Sequence, residues 1–188
     1  MGHREDLLAG AKRCIAEKGF AHTTARDIVA ASGTNLASIG YHFGSKDALL
    51  NAAVIDSFDD WDETIEAAVD RRSGDAPLDR LEAVLTGLVE ALGQNRPMAA
   101  ASVQGFAQAE FATDVRAQIA EAYHRARREL PAMILQVDAD DVDDRTATTL
   151  GSFAMALVNG FVLQYLVDPE RAPSARDMVD ALRRLRTD

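Results

Sequence analysis

The four histidines, His3, His22, His42 and His124, are the first side chains to weigh for chemistry. They are scattered, and none has metal-ligand spacing with the single cysteine, Cys14, or with carboxylates. The acid run Asp138, Asp140, Asp141, Asp143 and Asp144 lacks the glycine and terminal glutamate of a calcium loop, so it reads as a solvated turn. The glycines never fall as GxGxxG or GxxxxGKS/T, so no phosphate-binding loop is present. No nucleophile motif appears. The chain is expected not to be an enzyme and to need no cofactor or metal. Its polar chemistry gathers instead in residues 23–46, TTARDIVAASGTNLASIGYHFGSK, where hydroxyl, amide, phenol, imidazole and amine groups lie close together. Such groups bind by hydrogen bonds and charge.

Two short helices must hold them. The first opens at Thr24, and Asp27 three residues on completes a capping box. Ile28, Val29 and Ala31 give it an apolar face. Ser32-Gly33 ends it, with Gly33 free to adopt the left-handed conformation of a sharp reversal. Asn35 then caps a second helix through Tyr41 and His42. Gly44 breaks that helix and Ser45 caps the next. This is a helix-turn-helix pattern, whose second helix enters the DNA major groove. Two core-packing helices are the bland alternative.

The residue order resembles the DNA-binding domain of the TetR family of bacterial transcriptional repressors. The resemblance rests on Gly19-Phe20, Thr23-Thr24, Asp27-Ile28, Gly33-Thr34, Tyr41-His42-Phe43, Gly44-Ser45-Lys46 and Leu49-Leu50, and covers roughly residues 5–50. Thr34 departs from the usual valine, and Leu36 from the polar residue common early in the recognition helix.

The whole chain reads as all-α, with about nine helices. Alanine, leucine, arginine and glutamate dominate, and no long run alternates with period two. The first helix spans about Arg4 to Lys18, with Leu7, Leu8, Ala11, Cys14 and Ile15 on one face. Cys14 reads as a buried thiol. A long helix is expected from Ser45 to about Arg71, then a linker over residues 72–77. Further helices are expected over Pro77–Gln94, Pro97–Ala109 and Thr113–Val137, the last kinked or ended early by Pro131. Residues 145–167 are apolar almost all round, and their polar Asn159 and Gln164 favour a subunit interface over a membrane span. Ser174 caps a final helix.

Net charge is −10 over 188 residues. Residues 1–50 hold six basic and five acidic side chains, including all three lysines, so the remainder carries −11. An acidic body behind a near-neutral head would turn the head toward DNA. The N-terminal residues lack a signal-peptide core, and a cytoplasmic protein is expected.

The resemblance implies a DNA-binding head over residues 1–46 and a larger helical bundle for ligand binding and dimerisation over 47–188. It implies a homodimer through the last two helices, a palindromic double-stranded operator, and release by an unidentified small-molecule effector. The alternative is a ligand-independent dimeric DNA-binding or protein-docking module. Expected DNA contacts are Thr24, Thr34, Ala37, Ser38, Gly40, Tyr41, His42 and Lys46. Of these, Ser38 is placed to bond a base edge and Ala37 to touch a thymine methyl. Candidate effector-lining residues are Phe58, Trp61, Leu88, Gln104, Phe106, Tyr123, Phe153 and Asn159, Gln104 and Asn159 because a polar group on an apolar helix needs a partner.

Overall fold

The computed structural model describes residues 3–72 and 76–185, with the side chains of 58–63 and 71–72 outside that description. The expected linker and the side chains of Phe58 and Trp61 therefore lie largely or wholly outside the described residues. All described elements are helical. They are α1 (His3–Lys18), a 3₁₀ turn (Phe20–His22), α2 (Ala25–Ser32), α3 (Leu36–Phe43), α4 (Lys46–Arg72), α5 (Pro77–Gln94), α6 (Arg96–Ala109) and α7 (Thr113–Leu135). A second 3₁₀ turn (Ala139–Asp141) follows. Then α8 (Asp144–Thr146) runs through a π turn (Ala147–Gly151) into α9 (Ser152–Val167), and α10 (Ala175–Leu185) ends the chain's described part.

The backbone divides into two compact units. One holds Met1–Asp60 with Asn95–Ala122, the other Trp61–Gln94 with Tyr123–Asp188. The expected boundary at residues 46 and 47 falls at the start of α4, which lies in the first of these units. Within that unit, side chains tie α4, α6 and the start of α7 together. Ser45 Oγ donates to Asp114 at 3.1 Å, and the Nδ2 of buried Asn51 donates to Gln118 at 3.1 Å. Gly105 of α6 comes so close to Asn51 that a Cβ there would stand 2.6 Å from its Oδ1. Leu7, Leu8, Ala11, Ile15, Ile28 and Ile39 are the buried centre of the N-terminal trihelical part.

In the second unit, Leu81, Val84 and Leu85 of α5 bury against Leu130 and Ile134 of α7, Ala154 and Met155 of α9, and Val179 of α10. The C-terminus of α7 is finished by a buried cation. Arg80 Nε donates to the Ile134 carbonyl at 2.6 Å, which favours a positive group at a helix C-terminus. Gln136 takes a left-handed φ of 57°, and the Val137 amide reaches back to Ala132 O, closing a Schellman turn.

Pro131 neither ends nor blocks α7, which continues to Leu135. Proline offers no N–H to the carbonyl four residues before it, that of Arg127. That carbonyl faces Gly151 at the end of the π turn. A Cβ at Gly151 would stand 2.1 Å from Arg127 O, so only glycine permits this approach. The run Asp144–Val167 is long and apolar enough to cross a membrane, yet just over a quarter of its most apolar window is buried. Phe153, Leu163 and Val167 stand 42%, 49% and 85% exposed along it. Replacing Gly151 by alanine should destabilise the fold by about 1–3 kcal/mol through overpacking, read as a lower urea midpoint. An unchanged midpoint would mean that α7 and α9 are further apart than described.

Candidate nucleic-acid interface

Local chemistry fixes the head's short helices at both ends. Thr24 caps α2, and the Asp27 carboxylate accepts from the Thr24 amide at 2.9 Å while the Asp27 amide donates to Thr24 Oγ1 at 3.2 Å. Arg13 of α1 donates to the Ala31 carbonyl at the other end of α2. Gly33 adopts φ 70°, ψ 18°, the left-handed reversal the sequence calls for. Asn35 Oδ1 accepts from the Ser38 amide at 3.1 Å and starts α3. Ser45 Oγ accepts from Ala48 N at 3.0 Å and starts α4. All of these caps agree with the sequence reading.

The expected contact residues do not share one orientation. Ala37, Gly40 and Tyr41 point outward, Tyr41 being 85% exposed. Thr24 is exposed, but its hydroxyl donates to Asp27 at 2.7 Å. Thr34 is half-buried, its hydroxyl 2.7 Å from that of Ser32. Ser38 is turned inward. It is 8% exposed and its hydroxyl lies 3.3 Å from His3 Nδ1, so the base-reading role expected for it does not fit this packing. His42 is half-buried, edge-on to Tyr41 with centroids 4.8 Å apart. Phe43 is half-buried under the Arg4 guanidinium, 5.4 Å from the ring centroid. Lys46 folds back on the Thr23 carbonyl at 3.4 Å and pairs with Asp47 at 3.0 Å.

Most other cations of the head are also engaged. Lys18 pairs with Asp27 at 2.5 Å, and Lys12 with Asp56 at 2.8 Å. The Lys18 ammonium and the Thr24 donors hold the Asp27 carboxyl well below the usual carboxylate range, and Asp27 raises Lys18 in turn. Arg26, on the first turn of α2, is exposed and makes no hydrogen bond or ion pair among the described residues. It is not among the contacts expected from the sequence. An outward cation at the start of the helix before the turn was the available signal. Leu36, 53% exposed beside Ala37, also belongs to the outward face.

The candidate effector residues are spread out. Gln104 and Phe106 lie in the first unit, both exposed, Phe106 at 42%. Leu88 is buried at 2% in the second unit, and Phe153 faces outward. Tyr123 and Asn159 meet, with Asn159 Nδ2 donating to the Tyr123 hydroxyl at 2.7 Å, and burial pushes the Tyr123 phenol up. A partly open cleft of about 430 Å³ lies elsewhere in that unit, lined by Glu82, Thr86, Val89, Phe161, Tyr165 and the turn before α10.

Residues 7–53 match the family described as bacterial regulatory proteins of the tetR family, and residues 77–185 match the C-terminal domain of BetI-type transcriptional repressors. The chain belongs to the TetR family. It has the head and the helical C-terminal domain of that family's fold. It is 41% identical over 49 residues to the transcriptional repressor AcnR of Corynebacterium efficiens, 26% of each chain. It is 33% identical over 84 residues to the transcriptional regulator BetI of Stenotrophomonas maltophilia, 45% of this chain and 42% of that one. The chain thus spans less than half the length of these curated relatives. A putative TetR-family regulator from Rhodococcus sp. has the same fold, at TM-score 0.71, 22% identity and 98% coverage of both chains.

The Asp27 shift has a sign. Its carboxylate is favoured when folded, so its contribution is present above the ordinary value near 3.8 and is lost as pH falls below it. Asp27→Asn should melt below the parent protein at pH 7, and the gap should narrow steadily as pH falls from about 4 toward about 2. A pH-independent gap would show that charge plays no part.

Proposed function

We propose that this TetR-family chain is a ligand-responsive repressor that binds a roughly palindromic operator as a homodimer and is released by a small-molecule effector. The reading head is residues 1–46, and the ligand-binding and dimerisation part is 47–188. The observation that carries the dimer is the apolar seam left open on α9. Phe153, Ala156, Gly160, Leu163 and Val167 follow spacings of three, four, three and four, the stepping of a helix–helix seam. A Cβ added at Gly160 meets nothing within 4 Å in its own chain, so its smallness serves no internal packing. Leu185 on α10 is also apolar and 83% exposed.

In the head, Ala37, Gly40 and Tyr41 face the major groove, with Leu36 beside them. Thr24, Thr34, His42 and Lys46 lie around the phosphates with the edge of Tyr41, and Arg26 supplies an exposed cation. Phosphate contacts set position and salt dependence, whereas base contacts set sequence. Tyr123 and Asn159 are the polar pair assigned to the effector response in the C-terminal bundle. The effector must bind a dimer geometry that no longer fits the operator more tightly than the geometry that does. A regulator of this kind works in the cytoplasm, on chromosomal DNA.

Selection of bound sites from random duplexes should enrich an inverted repeat, as a two-fold dimer requires. Enrichment of an isolated half-site, or of nothing, would contradict the reading. With each subunit neutralising three or four phosphates, log K should fall against log salt with a slope of about −5 to −7. Leu163→Arg should yield monomers by sedimentation and lose operator binding, while Tyr41→Ala should lose binding and remain dimeric. A dimeric Leu163→Arg variant would remove α9 from the interface.

A further inference from the structure

We propose, on the reading that α3 is the DNA-reading helix, that it recognises its operator mainly through the C5-methyl groups of thymines rather than through hydrogen bonds to base edges. The sequence of α3, LASIGYHF, contains no Arg, Lys, Asn, Gln, Asp or Glu. Apart from the exposed Tyr41, its polar side chains are committed or turned away. Ser38 is buried against His3, and His42 is half-buried against Tyr41. Just before the helix, Asn35 spends its carbonyl oxygen on the Ser38 amide, and the Thr34 hydroxyl meets that of Ser32. The bidentate pairs that distinguish guanine and adenine need Arg, Lys, Asn or Gln on the outward face, and α3 offers none.

Beside the Tyr41 hydroxyl, what α3 presents is carbon. Leu36 and Tyr41 are 53% and 85% exposed, and Ala37 and Gly40 are exposed between them. Residues 36, 37 and 40 are neighbours on one helix face, being three and four apart. Gly40 sits inside a helix, where glycine costs about 1 kcal/mol relative to alanine. A Cβ there would meet nothing within 4 Å, so the protein's own packing does not require the gap. That position is open space on the same helix face as Leu36 and Ala37, with room for a methyl group. Among the four base pairs, only those with thymine put a methyl in the major groove.

The test uses the full chain and a duplex enriched by selection, with each thymine of one half-site replaced in turn by uracil. At the positions under α3, loss of the methyl should weaken binding about threefold to fivefold, the cost of one buried methyl-sized group. Deaza-purines lacking N7 at the same half-site should change Kd by no more than about twofold, since no bidentate purine contact is made. Leu36→Ala, an exposed change that leaves folding intact, should erase the thymine–uracil difference at the position Leu36 covers. An enriched duplex indifferent to uracil but weakened about tenfold by a deaza-purine would overturn this inference alone. Failure to enrich any duplex would overturn it together with the regulator reading on which it rests.

Discussion

An eight-residue helix is too short to persist in water by itself, and α3 has eight residues. Everything the head does depends on holding that helix from outside its reading face. Its ends are closed by Asn35 at the start and by Gly44, whose amide returns to Gly40 O, at the finish. Its inner side is held by Ile39, buried to 5%, and by the hydroxyl of Ser38. The reversal at Gly33 sets its direction relative to α2. Because stability comes from caps and the buried side, the outward side is released from any structural duty. Leu36, Gly40 and Tyr41 can then be chosen for what they meet.

The same economy governs charge. Lys12, Lys18 and Arg13 fasten α1 to its neighbours through Asp56, Asp27 and the Ala31 carbonyl. A near-neutral head built this way has few cations to spare, which limits attraction to arbitrary DNA. The acidic remainder of the chain adds to that limit. Specificity must then come from fit at the reading face rather than from the pull of the phosphates. In the second unit, Arg80 is buried and spends its charge on a helix terminus, so it contributes nothing to a basic surface.

Helix ends were legible in the sequence because their signals are local. Thr24 with Asp27, Gly33, Asn35 and Ser174 with Asp177 all cap as their types and spacings require. α5 spans Pro77–Gln94 as read from its apolar spacing. Orientation was less legible. Ser38 lies early in α3, where a base contact is expected, but it packs inward against His3, thirty-five residues away. Gln104 seemed to need a buried partner, yet it lies on the exposed side of α6. The effect of Pro131 could not be read either, since the close approach of Gly151 to the Arg127 carbonyl is a tertiary fact. Local chemistry predicts where helices stop; it does not predict which distant residue turns a side chain inward.

The central claim is that the outward side of α3 is the surface that meets DNA. Amide hydrogen exchange of the full chain, with and without a selected duplex, tests it most directly. The account predicts new protection over residues 34–41 and at the first turns of α2 and α4, with the buried caps already protected in the free protein. Unchanged exchange across α3, with protection confined to α9 and α10, would contradict it.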